Sequence, residues 1–397
     1  MSEPKRKPQA IAAIEHALLR HVRTKGVVSR GELAQELDLV QSTIGVYVDR
    51  LVRDGFLKET IPATRGLGRP PLLVELNARK GRFIGVDFYA QRLTAVSVDF
   101  SQNPLERVQY DLPEPVTMAA VLDQLLNAVN ELIAGKPEDI LAIGVATPGY
   151  VDPVRGLGLE YIHIPDWRNV PVVETLHKRF GLPVFIENNI RALALAEYWF
   201  GQGRGLSQFA CLSVRAGIGA AIMVDGHLFT GSTHIAGEIG EWRVPKASLP
   251  APDKALDLSS YPTVGELASL TALTRMTGKR MAAGERTRLS LTGSTPSVEE
   301  LLEAVNANDP LATDLVERAA DVHAWIVQQL DRVLDPERIL IAGPLTEAAT
   351  YWERLQDACR SFGMQRLSTK VCRSELGRFG GALGAAALAV QYWRPQR

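Results

Sequence analysis

The chain has 397 residues, of which 46% are hydrophobic, and a formal net charge of −1. It is long enough for two or three domains with a large core, and its charge argues against a protein that coats nucleic acid over its whole surface. No signal peptide is apparent, and no apolar run approaches the length of a membrane span, about 18 residues. The three scattered cysteines favour a reducing, cytoplasmic location and lack zinc-site spacing.

The N-terminal region has the pattern of three short helices. Apolar residues at helical spacing predict a first helix over residues 9–24. Ser29 and Glu32 have the spacing of a capping box, which predicts the start of a second helix, and a third begins at Gln41. Two β-prone runs, FLKET and LLVEL, follow on either side of the Gly-, Pro- and Arg-rich segment IPATRGLGRPP. Three helices and a β-hairpin predict a winged helix-turn-helix domain in residues 1–77.

This first domain is predicted to bind double-stranded operator DNA, since it carries 12 Lys/Arg against 9 Asp/Glu, a net charge of +3. The third helix would enter the major groove, with its first residues at the base edges. Basic residues would meet phosphates, and the hairpin tip would reach the minor groove. The alternative is a protein-contact or dimerising helical unit. The predicted DNA-binding residues are Gln41, Ser42 and Thr43 at the bases, Arg50, Arg53 and Lys58 at phosphates, and Arg65 and Arg69 in the wing.

Two features of the third helix fit base contact less well. Val40 is a poor helix cap, so the start of the helix is loosely defined. Gly45 and Val46 are apolar or small where a polar side chain would be expected.

Residues 78–397 are predicted to form an α/β domain in which short apolar runs alternate with helices. One helix is capped by Ser297, and another begins after Asp309 and Pro310. Strand–turn–strand units begin at Phe83 and at Cys211, a weak internal repeat that two related halves with a cleft between them would explain. The runs that predict strands are RFIGVDF, LTAVSVDF, ILAIGVA, PVFI, FACLSV, GAAIMVDG and RILIAG.

Five motifs behind the N-terminal domain together resemble the ROK family of repressors, open reading frames and kinases. They are IGVATPGYVDP, GLPVFIENN, GIGAAIMVDGHLF, AGEIGE and GGALGAAALA. The resemblance covers nearly the whole chain and implies a duplicated, actin-like, two-lobed sugar-kinase fold. Members with this N-terminal domain look like sugar-responsive transcriptional repressors, and members without it are often sugar kinases. It therefore implies a ligand-binding and oligomerisation domain in residues 78–397, in a homodimer or homotetramer.

The resemblance also shows which reactive residues are changed. The family pattern Glu-Asn-Asp-x-Asn supplies, in kinases, the Asp that takes the proton from a sugar hydroxyl. This chain has Asn189 at that position and Arg191 at the final Asn. An amide hydrogen-bonds a hydroxyl but does not accept its proton near neutral pH, and losing a general base typically costs about 10²–10⁴-fold in rate. We expect binding of a polyol without phosphorylation, and no catalytic residue.

The phosphate loops of the family are altered as well. The first keeps Asp87 but has Tyr89 where a glycine would admit phosphate. In the second, Arg215 replaces the first glycine, and Gly217 and Gly219 are more simply explained as an ordinary hairpin turn. AGP stands where a glycine-rich nucleotide loop is expected near the C-terminus. Together these changes predict lost ATP binding and no cofactor.

The zinc signature of many family members is missing. Glu241 stands where their motif Gly-Glu-Ile-Gly-His has its histidine, and no cysteine occurs between Cys211 and Cys359. Thiolates and histidine nitrogens make structural zinc sites. We therefore expect no zinc.

The resemblance places a sugar-like effector in the cleft. It assigns Asn189 and Glu238 most firmly. It assigns His163 and Glu241 only by position, because their residue types differ from those of the family, and this difference suggests a ligand unlike glucose or N-acetylglucosamine, or no sugar. The predicted ligand-binding residues are His163, Asn188, Asn189, Glu238 and Glu241, with Glu187 as a brace, Trp167 as packing and His234 as a weaker candidate. The alternatives are a sugar kinase with an appended DNA-binding domain and a regulator controlled by a protein partner.

Overall fold

The computed structural model describes residues 8–60, 72–89, 92–135, 137–244, 259, 261–289, 295–361 and 365–395. This part of the chain forms a small N-terminal module and two lobes. Each of the two lobes is built on a mixed, five-stranded β-sheet. None of its helices is long and apolar enough to cross a membrane.

The N-terminal module has the order of elements that the sequence predicts. Within the described residues its strands form an antiparallel sheet of order β1-β3-β2. Ser29 and Glu32 cap each other's backbone N–H groups at the start of α2, which confirms the capping box. The segment with Arg65 and Arg69 lies outside the described residues. The elements are α1 (Pro8–Lys25), β1 (Val28–Ser29), α2 (Arg30–Glu36), α3 (Gln41–Arg53), β2 (Leu57–Thr60) and β3 (Leu73–Leu76).

The first lobe contains a sheet of order β11-β7-β4-β5-β6 and a small antiparallel sheet of order β10-β9-β8. Its elements are β4 (Arg82–Tyr89), β5 (Arg92–Asp99), β6 (Pro104–Asp111), α4 (Met118–Ile133), β7 (Ile140–Thr147), β8 (Tyr150–Asp152), β9 (Leu157–Glu160), β10 (Arg168–Val170), α5 (Val172–Phe180), β11 (Val184–Asn188) and α6 (Asn189–Phe200).

The second lobe contains a sheet of order β14-β13-β12-β15-β16. The long helix α10 packs against α7, α8, α9 and α11 in its core. The elements are β12 (Phe209–Val214), β13 (Ile218–Val224), β14 (His227–Phe229), α7 (Val264–Ala268), α8 (Leu270–Ala282), α9 (Val298–Asn306), α10 (Pro310–Leu334), β15 (Arg338–Ala342), α11 (Ala349–Ser361), α12 (Gln365–Lys370), β16 (Val371–Arg373) and α13 (Gly380–Tyr392).

The two large sheets are duplicates in topology. In each, the first strand pairs antiparallel with the second and parallel with the fourth, the second pairs antiparallel with the third, and the fourth pairs parallel with the fifth. The strand–turn–strand units that begin at Phe83 and Cys211 are β4–β5 and β12–β13. The internal repeat in the sequence is therefore confirmed as two related halves.

Two small-residue helices lie against each other at the centre of the molecule. α13 returns from the second lobe and packs on α6 and on β4 and β7. A Cβ added to Gly384 would lie 1.7 Å from the Ala192 carbonyl oxygen, and one added to Gly144 would lie 1.8 Å from that of Ala385. Only glycine permits backbones to approach this closely. α6 begins at Asn189, directly after Glu187 and Asn188 at the end of β11.

The N-terminal module shares a hydrophobic core with the first lobe. Phe56 of the module has its ring centroid 5.8 Å from that of Phe100 and 6.0 Å from that of Trp393. Trp393 also lies 5.8 Å from Phe83, and the Lys80 ammonium sits 4.3 Å from the Phe56 ring centroid. Packed aromatic rings therefore join the module to the first lobe.

Candidate functional site

The polar stretch at residues 187–189 lies where β11 ends and α6 begins. Asn188 is the N-cap of α6: its Oδ1 accepts from the N–H groups of Ile190 and Arg191, at 2.9 and 3.3 Å. Its Nδ2 donates to the Gly149 carbonyl oxygen at 2.9 Å. These bonds give Asn188 a structural role and leave one N–H of its amide for a ligand, so its place in the ligand site stays a prediction.

Asn189 differs from its neighbour. It is the first residue of α6 and is 7% exposed, yet its side chain makes no hydrogen bond within the described chain. The amide atoms of Asn189 are not among the buried polar atoms that lack a partner, so they are accessible to a ligand hydroxyl. Asn189 is therefore better suited than Asn188 to hold one.

A buried ion pair braces the same helix start. The Arg191 Nε lies 2.9 Å from the Glu187 Oε1, and both side chains are at most 5% exposed. Glu187 also accepts from the Asn188 N–H at 2.7 Å. The predicted brace by Glu187 is thus seen in the structure, with Arg191 as its partner. Arg191 replaces the family's asparagine and was not expected from the sequence to have this role.

Arg191 extends to the loop before the second-lobe site residues. Its Nη1 donates to the His234 carbonyl oxygen at 3.0 Å. His234 has φ of +59°, a left-handed conformation that is uncommon for residues other than glycine. Arg191 Nη2 and His234 Nδ1 are both buried and have no hydrogen-bond partner among the described residues. Arg191 therefore connects the first lobe to the loop that carries Glu238.

Acidic and phenolic groups meet beside this loop. Burial raises the pKa of Glu238, the Arg191 guanidinium opposes the rise, and the Glu241 carboxylate adds to it. Burial also raises the pKa of Tyr150, and the carboxylates of Glu238, Glu241 and Glu160 raise it further. The carboxylates of Glu238 and Glu241 therefore influence each other's surroundings and Tyr150, and their place in a ligand site stays a prediction.

Tyr150 also lines an open cavity on the small sheet of the first lobe. The cavity has a volume of about 370 Å³ and is lined by Tyr150, Leu159, Glu160, Arg168 and Asn169. Glu160 and Arg168 form an ion pair of 3.1 Å on its wall. Its lining offers hydrogen-bond donors and acceptors together with a phenol ring.

The other first-lobe candidates fall into different environments. His163 is exposed. Its ring packs edge-on against the ring of Tyr161, with 5.1 Å between the two centroids. No described contact joins it to Glu238 or Asn189, so its role stays a prediction. Trp167 is fully buried with its ring centroid 4.9 Å from that of Phe88, so the structure supports packing as its role.

The position expected for nucleotide phosphate is occupied by an ion pair between the lobes. Arg215 follows β12, and its Nη1 lies 3.4 Å from the Oδ2 of Asp87 in β4. Its guanidinium also lies 4.5 Å from the ring centroid of Tyr89. Burial raises the pKa of Asp87 to about 6, although Arg215 lowers it in part. A cation and an aromatic ring thus stand where the family's glycines would admit phosphate.

The glycines that remain have different local roles. The Arg215 N–H donates to the Gly217 carbonyl oxygen at 2.8 Å, which closes a tight turn, and a Cβ at Gly217 would meet nothing within 4 Å. Gly343 has φ of +130°, and a Cβ there would lie 2.0 Å from the Val214 carbonyl oxygen. The structure therefore explains the glycine of AGP by close packing of β15 on β12, without a nucleotide.

The predicted DNA-contact residues of the module differ in exposure and in the ion pairs that they form. Gln41 and Ser42 are exposed at the start of α3, and Thr43 is half-buried. Arg50 is engaged within the module, since its Nη1 lies 3.2 Å from the Oε1 of Glu15. The exposed Arg53 is therefore more available for a phosphate than Arg50. Lys58 similarly pairs with a carboxylate, that of Glu75 on β3, at 3.2 Å.

Within the described ranges, no group of three or more His, Cys, Asp or Glu side chains is arranged to hold a metal ion. Residues 245–258 and 260, which cover most of the segment that replaces the family's cysteine cluster, lie outside those ranges. The absence of zinc therefore stays a prediction.

The described residues form a duplicated two-lobed α/β fold with an appended three-helix module. The class of protein is therefore that of the actin-like, sugar-kinase fold with an added N-terminal module. Residues 83–392 match the family described as the ROK family, and the chain belongs to this family. It is similar to the DNA-binding transcriptional dual regulator NagC of Escherichia coli (strain K12), at 27% identity over 380 residues, 94% of this chain and 91% of that protein.

Two solved structures of the family share the fold. A ROK family transcriptional regulator, a homolog of the E. coli MLC protein, superposes with a TM-score of 0.78 at 22% identity, over 96% of this chain and 97% of that chain. A ROK family glucokinase from Streptomyces griseus, in complex with glucose and AMPPNP, gives a TM-score of 0.63 at 29% identity, over 78% of this chain and 100% of that chain. The family resemblance and the fold inferred from the sequence are confirmed.

Proposed function

We propose that the chain is a DNA-binding transcriptional regulator, a repressor of carbohydrate-metabolism genes whose operator binding is modulated by a sugar or sugar derivative. One observation carries the proposal. The chain joins α3, with an uncovered polar face, to a cleft in which Asn189 and Arg215 stand where kinases need a proton acceptor and a glycine. Similarity over 94% of the chain to a protein named as a DNA-binding transcriptional regulator supports the proposal.

The cleft of this regulator binds without reacting. Asn189 holds a ligand hydroxyl through its uncommitted amide, and the carboxylates of Glu238 and Glu241 accept from further hydroxyls. Arg215 on Asp87 keeps phosphate chemistry out of the cleft, because bound nucleotide would have to displace a guanidinium already paired with a buried carboxylate. The proposal therefore includes no catalytic residue and no cofactor.

Residues 1–77 act as the DNA-binding domain and residues 78–397 as the ligand-binding and oligomerisation domain. A two-fold homodimer, or a tetramer built from it, places two copies of α3 on adjacent half-sites of a pseudo-palindromic operator. The ligand changes DNA affinity only through its different affinities for two lobe arrangements. The shared aromatic core around Trp393 carries that difference to the module.

Binding of the purified chain to its own upstream DNA, followed by fluorescence anisotropy, tests the proposal. We expect sequence-specific binding that a double substitution of Gln41 and Ser42 by alanine weakens, and that one member of a sugar and sugar-phosphate panel changes. Asn189→Ala should bind the same DNA and lose the response to that sugar. Binding that is equal on operator and scrambled DNA under every condition would refute the proposal.

The alternative in which a protein partner controls the regulator is separated by the same panel. A small molecule that binds the folded chain raises its melting temperature, by an amount that grows with concentration. A rise with one sugar that disappears in Asn189→Ala supports a metabolite effector, and no rise with any member favours a protein partner.

A further inference from the structure

The exposed face of α3 has a regular composition. The helix packs on α1, α2 and β2 through the buried residues Ile44, Tyr47, Val48 and Leu51. On the opposite side, Ser42, Val46, Asp49 and Arg53 follow one another at helical spacing and are all exposed. This row is the part of α3 that a DNA groove would meet.

Val46 lies in the middle of this row and is 48% exposed. An apolar side chain at the centre of a polar face is not explained by packing within the chain. Isolated exposed valines are common, but this valine lies in a polar row and next to a glycine.

The residue beside Val46 provides an independent observation. A Cβ added to Gly45 would meet only the Arg30 Nη1, at 3.9 Å, so the described chain has room for a side chain there. Glycine in an exposed helix interior is less favourable than alanine. The chain thus keeps a destabilising residue without an internal reason, as expected where another molecule comes close to the helix backbone.

The carboxylate one turn beyond Val46 is held by a cation. The Arg30 Nη2 lies 2.6 Å from the Asp49 Oδ1 and 2.6 Å from the Glu59 Oε1. Paired in this way, Asp49 repels DNA phosphates less and is less free to accept from a cytosine amino group. The centre of the exposed face is therefore left to an apolar contact.

Thymine is the base that presents a methyl group in the major groove. We propose that Val46 contacts the 5-methyl group of one thymine in each operator half-site, and that Gly45 provides the space in which that base edge approaches α3. This inference rests on the proposed DNA-binding function and names the base that the centre of α3 selects.

The test replaces thymine by deoxyuridine, which pairs in the same way and lacks only the methyl group. An operator is first selected from random duplexes with the full-length wild-type chain, and each thymine is then replaced singly. We expect one position per half-site at which the wild type binds about fourfold more weakly, which corresponds to about 0.8 kcal/mol per buried methyl group. Val46→Ala changes both protomers of the proposed dimer, so it should bind the thymine operator about 16-fold more weakly, about fourfold for each half-site, and be indifferent to deoxyuridine there.

Two further variants guard against a folding effect. Val27→Ala makes the same chemical change at a valine that is 49% exposed and lies outside α3, and it should retain the wild-type profile. Gly45→Ala should keep or raise the melting temperature while DNA affinity falls. Equal deoxyuridine profiles for wild type and Val46→Ala, with Val46→Ala folded as judged by its melting temperature, would overturn the inference. Failure to select any operator would instead count against the proposed function.

Discussion

The guanidinium of Arg215 in the second lobe lies 3.4 Å from the buried carboxylate of Asp87 in the first lobe. The pair joins the two loops at which the family resemblance places phosphate, and the Asp87 Oδ1 has no hydrogen-bond partner in the described part of the chain. A carboxylate in this setting is held at an energetic cost, which makes its titration measurable.

The first prediction concerns the pH dependence of stability. Asp87 has a pKa of about 6 in the folded chain and 3.8 as its ordinary value, so the folded state holds a proton that the unfolded state has lost between those values. Stability from this group is therefore present at about pH 4 and is lost by about pH 7, a change of about 3 kcal/mol. Asp87→Asn removes the titrating group. Between about pH 4 and about pH 7, the free energy of unfolding of this variant should therefore rise by about 3 kcal/mol relative to that of the wild type.

Chemical denaturation of both chains across the same pH series checks this expectation. Arg215→Ala should move the wild-type transition to higher pH, because the guanidinium favours the charged carboxylate. Parallel stability curves for wild type and Asp87→Asn would show that Asp87 does not titrate in this way.

The second prediction concerns the glycines of the central helix pair. Gly384→Ala should lower the free energy of unfolding by at least about 3 kcal/mol, because its Cβ would lie 1.7 Å from a backbone oxygen that cannot move aside. Gly217→Ala is the matched control, since its Cβ would meet nothing within 4 Å, and it should change stability by no more than about 0.5 kcal/mol. Thermal melting of the two variants compares them directly, and similar losses in both would contradict the close packing of α13 on α6.

The third prediction separates the two neighbouring asparagines. Asn188→Ala removes a helix cap and the bond to the Gly149 carbonyl oxygen, and should lower stability by about 1–2 kcal/mol. Asn189→Ala breaks no hydrogen bond within the described chain and should change stability by less than about 0.5 kcal/mol while abolishing the thermal shift given by the effector. A stable Asn188→Ala, or an Asn189→Ala that still responds to the effector, would reverse these assignments.

The sequence predicted the elements whose stabilising interactions are local. Strands such as β4 and β12 are buried along their length and appear as apolar runs. The capping box of α9 predicts where that helix begins. The sequence does not predict the edge strand β6, because the strand is largely exposed and only Val108 and Tyr110 of it pack on the core. The two-residue β1 is too short for any pattern and forms only because β3 pairs with it.

The same distinction between local and distant interactions applies to the site. Asn189 and Glu238 followed from motifs, which are local in sequence. The contact between Arg215 and Asp87 joins residues 128 positions apart. The carboxylates of Glu238 and Glu241 in the second lobe raise the pKa of Tyr150 in the first, after burial as the main cause. Such relationships depend on how the lobes pack, which spacing and composition do not contain.

The fourth prediction addresses catalysis. The purified chain should form no phosphorylated sugar from ATP above background, because Asn189 does not accept a proton near neutral pH. Asn189→Asp alone should remain inactive, since Arg215 and Tyr89 still occupy the phosphate side of the cleft. A coupled assay across a sugar panel, with a ROK glucokinase as positive control, measures this. Sugar phosphorylation by the wild type that vanishes in Asn189→Ala would establish the kinase alternative.

The last prediction concerns communication between cleft and DNA. Trp393 touches Phe56 of the module and both Phe83 and Phe100 of the first lobe, so Trp393→Ala removes the ring that the two units share. Loss of a buried tryptophan typically costs about 3–5 kcal/mol, and here the loss falls on the contact between units. We expect the variant to bind operator and effector separately, while the effector no longer changes operator affinity.

Trp352→Ala is the control for general destabilisation, since Trp352 packs on the core of the second lobe and touches no residue of the module in the described chain. Operator titrations with and without effector, made below the melting temperature of each variant, give the ratio of the two affinities. That ratio measures coupling directly, because a ligand shifts a two-state equilibrium only by its differential affinity. A ratio of one in Trp393→Ala and a wild-type ratio in Trp352→Ala support transmission through the aromatic core. If both variants keep the wild-type ratio, the lobes and the module communicate by another route.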